Sequence, residues 1–138
     1  MTAQEIKKAF ETFKKELNKE TGIKGGFTMN CKQIANRTAT YAVCATSSYE
    51  DVIEYFENWI KNYPNSAKDA HCAERLEYFK AQKEEYGTRE NYVQKIIEKV
   101  TGSKAFEKFS NTIGGVKWHT EIGKDYCGNP WYYVRFTY

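Results

Sequence analysis

Apolar positions recur along this chain with two periods, and each change of period marks a new element. Ile6, Phe10, Phe13 and Leu17 stand three or four residues apart, with Lys7, Lys8, Glu11, Lys14, Lys15 and Glu16 between them. That spacing predicts a helix with one buried stripe. Thr2-Ala3-Gln4-Glu5 has the form of a capping box ahead of it, and Gly22 is placed to stop it. Period two takes over after Gly25-Gly26. Phe27, Met29 and Cys31 alternate with Thr28 and Asn30, and the β-branched and small residues from Thr38 to Thr46 read as a second strand that pairs with the first. Lys32 to Arg37 fits a turn and a short helical piece equally well.

Helical spacing then returns. Ser48 caps a helix with Glu50 and Asp51 in its first turn and Val52, Phe56, Trp59, Ile60 and Tyr63 as its stripe, ended by Pro64. Ser66 opens a helix to about Tyr86, closed by Gly87, with Cys72, Leu76, Phe79 and Tyr86 inward and Ala70 and Ala73 allowing close approach. Thr88 caps another, in which Val93, Ile96, Ile97 and Val100 point one way as far as Gly102, and Ser103 to Phe109 reads as a short helix with Phe106 and Phe109 inward.

Alternation resumes from Gly114 to Tyr138. Val116 to Ile122 and Trp131 to Tyr138 form a β-hairpin around the turn-rich link Gly123 to Pro130. In the second strand Tyr132, Val134, Phe136 and Tyr138 share one face, and Trp131, Tyr133, Arg135 and Thr137 the other. A sheet buried on one side normally carries polar residues on the opposite side. Aromatics on both faces therefore predict either helices on both sides or an aromatic face left open for a partner. The order helix, hairpin, helices, hairpin predicts an α+β fold: a four-stranded, largely antiparallel sheet from two hairpins, covered by an N-terminal helix and three to four central helices. With 138 residues and no Pro/Gly/Ser-rich linker, the chain reads as a single domain over 1–138.

Composition narrows the class. At 41% hydrophobic and 28% charged residues the chain is a globular mixture, and 11 Tyr, 8 Phe and 3 Trp mean that rings supply much of its core. No apolar run approaches the ~20 residues of a bilayer span, and the N-terminus lacks the basic and apolar regions of a secretory signal. The expected location is cytoplasmic, with no membrane partner. Cys31, Cys44, Cys72 and Cys127 are then thiols rather than disulfides, the first three as small core residues and Cys127 accessible in the hairpin loop. Net charge is +3. Residues 1–48 carry eight basic and four acidic side chains, 49–100 eight and eleven, and 101–138 five and three, so two basic ends flank an acidic middle.

Candidate chemistry is sparse. No metal site is expected, because His71-Cys72 is the nearest thing to a ligand pair and adjacent helical residues point about 100° apart. No cofactor is expected either: Gly22 to Gly26 lacks phosphate-loop spacing, and Gly114-Gly115 lacks a following helix. Trp118, Trp131, Tyr133 and Arg135, with Lys117 and Lys124, are the candidate binding residues. Such a set stacks unpaired bases while its cations neutralise phosphate, and Tyr, Trp and Arg are also the types enriched in protein-binding hot spots. His119, Glu121 and Cys127, with Asp125 beside them, are the constellation a small enzyme would use. No catalytic motif supports that constellation, so the leading expectation is a non-enzymatic interaction protein with a protein or nucleoprotein partner. A single-stranded nucleic-acid module and a small enzyme are the alternatives.

In profile, short, stand-alone, motif-free and rich in Lys, Asn and Tyr, the chain resembles accessory proteins of phages and mobile elements, among them anti-CRISPR and other anti-defence inhibitors. The resemblance implies inhibition by stoichiometric binding and carries over no residues. A slightly basic chain does not imitate DNA, so such an inhibitor would block a surface or a conformational change. The acidic stretches Glu50 to Glu57 and Glu74 to Glu85 are the part that would meet a basic groove.

Overall fold

The computed structural model describes all 138 residues, which fall into two compact units, one of residues 1–45 with 95–138 and one of residues 46–94. In the first unit, α1 (Ala3–Thr21) starts where the Thr2 hydroxyl accepts from the Glu5 amide at 3.1 Å and ends at Gly22, whose φ of 78° suits glycine. The next strand, β1, is only Phe27–Thr28. Asn30 cuts it short. Its side chain accepts from the Gln33 amide while the Gln33 side chain accepts from the Asn30 amide, both at 2.9 Å, and this capping box opens α2 (Cys31–Ala35). Met29 and Cys31 therefore do not extend the strand as their alternation suggests, and Cys31 is exposed rather than in the core.

β2 (Thr38–Ala45) follows, and the unit resumes in the second half of α6 (Arg89–Thr101). Ser103 caps α7 (Lys104–Ile113), which runs past Phe109 to Gly114, and β3 (Lys117–Lys124) and β4 (Pro130–Thr137) form the terminal hairpin. The sheet order is β1-β2-β4-β3 with every neighbour antiparallel, so the expected four-stranded antiparallel α+β architecture is present. Its two hairpins join through β2 and β4, with a register shift between Ala42 and Cys44.

Rings build the core of this unit. Phe13 on α1 stacks on Phe109 of α7 with centroids 4.9 Å apart, Phe27 stacks on Tyr41 at 4.2 Å, and Phe106 meets Phe136 of β4 at 5.8 Å. Phe10, Leu17, Ile97, Val100 and Val134 are buried with them. Burying a side chain of this size contributes roughly 1.5–3 kcal/mol, so the helices are held to one face of the sheet by apolar area.

The second unit is helical: α3 (Tyr49–Asn62), α4 (Pro64–Asp69), α5 (Cys72–Tyr86) and the first residues of α6. Pro64 does end α3, but it also opens α4 from the first helical position, where its missing N–H is no loss. Ser66 is consequently inside α4 rather than a cap, and its hydroxyl accepts from the Trp59 indole at 3.2 Å. His71, at φ 55°, separates α4 from α5, so the single helix expected to Tyr86 is two. Phe56, Ala67, Cys72 and Leu76 form the cluster here, with Trp59, Ile60 and Phe79 against it. Tyr63 is 67% exposed and Ala73 is exposed, so neither packs inward as their spacing suggests. The buried place one turn beyond Phe79 goes to Gln82, which accepts from the Tyr49 hydroxyl at 3.0 Å and donates to the Tyr78 hydroxyl at 2.6 Å.

Candidate functional site

Register assigns the faces of the sheet. Residues directly opposite in an antiparallel pair share a face, and Tyr132, Val134 and Phe136 of β4 stand opposite Cys44, Tyr41 and Ala39 of β2. All except half-buried Tyr132 are buried. This is the face that the phenylalanines of α1 and α7 cover. The other face carries Trp131, Tyr133, Arg135 and Thr137, flanked on β2 by Ala45, Ala42, Thr40 and Thr38 and on β3 by Gly123, Glu121, His119 and Lys117. None of these is buried, and Lys117, His119 and Thr137 are exposed. Of the two arrangements that aromatic alternation allows, this unit has the open face.

Glu121 is its centre. Arg135 donates from Nε at 3.0 Å and from Nη2 at 2.8 Å to Glu121 Oε1, and His119 Nε2 lies 3.1 Å from Glu121 Oε2. The bonds from Arg135 hold the Glu121 carboxyl below the usual carboxylate range, against partial burial and with a smaller contribution from His119. The same bonds raise the Arg135 guanidinium. Tyr133 is anchored too, its hydroxyl donating to the Lys124 carbonyl at 3.3 Å. Gly123 admits its ring, since a β-carbon there would stand 3.2 Å from two Tyr133 ring atoms. The result is a fixed, mixed surface: two partly exposed rings beside an Arg–Glu–His array, with Lys117 at one end.

No known protein family, curated protein or solved structure matches this chain. Function rests on the geometry alone. Four of the six candidate binding residues, Trp131, Tyr133, Arg135 and Lys117, share the open face. Trp118 and Lys124 do not, because they stand opposite Phe136 and Pro130 on the core side of the sheet. Their parity along β3 already separates them from Lys117, His119 and Glu121, whereas the register that sets Glu121 opposite Tyr133 and His119 opposite Arg135 is fixed by the turn and not by the alternation of either strand. Gly123, Thr38 and Thr40 complete the face and carry no signal of their own in the sequence.

His119 and Glu121 meet, as two-residue spacing on a strand allows, but Cys127 and Asp125 are elsewhere. Asp125 Oδ1 accepts from the amides of Cys127 at 3.0 Å and Asn129 at 2.8 Å, which commits it to shaping the hairpin turn. Cys127 is exposed in that turn, and His119 lies six residues from Asp125, about 20 Å of extended chain. Clefts of about 270 and 360 Å³ open beside α1 on its α7 and α2 sides, and neither is lined by His119, Glu121 or Cys127. No three His, Cys, Asp or Glu side chains converge as metal ligands would. Among the acidic stretches of the helical unit, Glu50 pairs with Lys83 at 3.4 Å and Glu77 with Lys80 at 3.9 Å. No helix is long and apolar enough to cross a membrane.

Proposed function

We propose that this chain is a non-enzymatic binding protein that docks a protein partner on the open face of its sheet, through Trp131 and Tyr133 and the charged row Lys117, His119, Glu121 and Arg135. The observation that carries the reading is a pair of partly exposed aromatic rings, that of Tyr133 anchored through its hydroxyl, beside a preformed ion-paired array, outside the core that the helices bury. Rigid aromatics lose little entropy on docking, and satisfied charges around them supply orientation rather than raw affinity. A carboxylate in the middle of the face disfavours a strand of phosphates there, and Arg135 is already engaged. Protein rather than single-stranded nucleic acid is therefore the partner this face suits, and its action is by occupancy.

Affinity capture from a host lysate, with and without nuclease, tests this together with a Trp131→Ser, Lys117→Glu double variant that keeps the far-UV dichroism of the parent. A stoichiometric protein partner that survives nuclease and is lost with the double variant is the expected result. Partners that vanish with nuclease would transfer the face to nucleic acid. Capture unchanged by the double variant would remove the face from the interaction.

A further inference from the structure

The two edges of the sheet are unequal. β1, the first edge, has two residues, short enough to offer no template. The other edge is β3, eight residues long and paired with β4 throughout without a register shift. Folded proteins blunt such an edge with proline, a bulge or lysines along its length. β3 has lysines only at its two ends, 117 and 124, and between them it exposes Trp118 at 42% and Ile122 at 66%.

Hydrogen-bond phase shows which backbone groups face outward. Asp125 donates to the Asn129 carbonyl, and Tyr138 donates to the Arg37 carbonyl. These contacts continue the β3–β4 and β2–β4 registers, and bonding alternates along an antiparallel pair. The odd-numbered residues of β3 are therefore the ones that bond β4. Trp118, Thr120 and Ile122 direct their N–H and C=O to the free edge.

We propose that two copies of this chain join through β3, antiparallel about a two-fold axis at Thr120, to make one eight-stranded sheet; this does not depend on what the open face binds. The strand is its own complement in that register. Thr120 meets Thr120 of the second copy, and Trp118 meets Ile122 in both halves, giving about six backbone hydrogen bonds and covering the two exposed apolar side chains of the edge. On the opposite face His119 stands across from Glu121 in the closer, non-hydrogen-bonded pairs, where opposite charges help. Moving the axis one residue either way sets Glu121 against Glu121, with Trp118 against Lys124, or His119 against His119, with Trp118 against Thr120. Only the central register matches charge with charge and apolar with apolar. An isologous contact of this kind closes as a dimer.

Sedimentation equilibrium of the whole protein between about 1 and 100 µM tests it, with a mass double the 16.1 kDa of one chain expected. Thr120→Pro removes two of the seam's bonds and none within the subunit, and it should weaken the dimer by about 30-fold or more. A register probe covers the case in which that variant misfolds. In a background with Cys31 and Cys127 changed to Ser, Thr120→Cys should oxidise to a covalent dimer, because the paired α-carbons stand about 5.5 Å apart. Trp118→Cys should not, because its two copies are displaced by four residues, about 13 Å. A single-chain mass throughout the range overturns the proposal. So does a dimer that cross-links at 118 and not at 120.

Discussion

Arg89 is the least comfortable side chain in the molecule. It is 5% exposed, its Nε has no hydrogen-bond partner, and it is the first residue of α6, where the helix dipole disfavours a cation. What holds it is a pair of rings: its guanidinium carbon lies 4.8 Å from the centroid of Tyr49 on α3 and 4.9 Å from that of Phe79 on α5. Desolvated cation–π contacts are worth up to about 2 kcal/mol or more, which offsets the orphaned N–H and the unfavourable dipole without a surplus. Removing the whole side chain should therefore cost far more than removing its charge. Arg89→Ala leaves a cavity between two rings and is expected to destabilise by about 3 kcal/mol. Arg89→Met keeps most of the volume and leaves no buried donor, so it should fall within about 1 kcal/mol of the parent. Midpoints of urea unfolding separate these outcomes, and equal losses would mean that the charge itself is required. The sequence around Arg89 shows only a helix start after Thr88. Burial of this cation is decided by residues on two other helices, so no local pattern announces it.

At the scale of elements, α1 and α7 are joined by more than stacked phenylalanines. The Glu20 carboxylate at the end of α1 accepts from the Lys104 amide at 3.0 Å and from the Ala105 amide at 3.1 Å, two of the unpaired donors at the start of α7. Ser103 Oγ takes a third, from Phe106, and Lys108 reaches Glu16 at 2.7 Å. A carboxylate that caps another helix combines hydrogen bonding with a favourable dipole, so Glu20→Ala should destabilise by about 1–2 kcal/mol and Glu20→Gln by less. Thermal unfolding of the two variants measures the difference, and an unchanged Glu20→Ala protein would reduce the contact to decoration. Periodicity and the caps Thr2, Ser48, Thr88 and Ser103 made α1, α3, α6 and α7 legible, because each is specified within a few residues. β1 and α4 are not legible in this way, for a related reason. Two local signals compete there: alternation against the Asn30–Gln33 box, and a serine cap against a proline at the first helical position. Glu20 lay outside any such reading, since its amide partners are more than eighty residues away.

For the whole molecule, the division into units redraws the charge map that blocks of sequence suggest. Residues 1–45 and 95–138 hold fifteen basic and eight acidic side chains, whereas 46–94 hold six and ten, so the sheet unit is basic and the helical unit acidic. The helical unit interrupts the sheet unit in sequence, and α6 is the element they share. Its Val93 belongs to one unit and its Ile96, Ile97 and Val100 to the other, in one unbroken helix. The backbone hydrogen bonds of α6 therefore cross the division between the units. Lys95 sits at the division, exposed and paired only with Glu98 at 3.8 Å, so its side chain contributes a few tenths of a kcal/mol. Lys95→Ala should therefore be nearly neutral. Lys95→Pro removes a mid-helix hydrogen bond and clashes with the preceding turn, at a cost of about 3 kcal/mol or more. If α6 couples the units, the parent melts in one transition. The proline variant should then melt in two, with fluorescence of Trp59 reporting the helical unit and that of Trp118 and Trp131 the sheet unit, each read in variants with the other tryptophans changed to Phe. Coincident transitions for the proline variant would show that the two units unfold together for a reason other than a continuous α6.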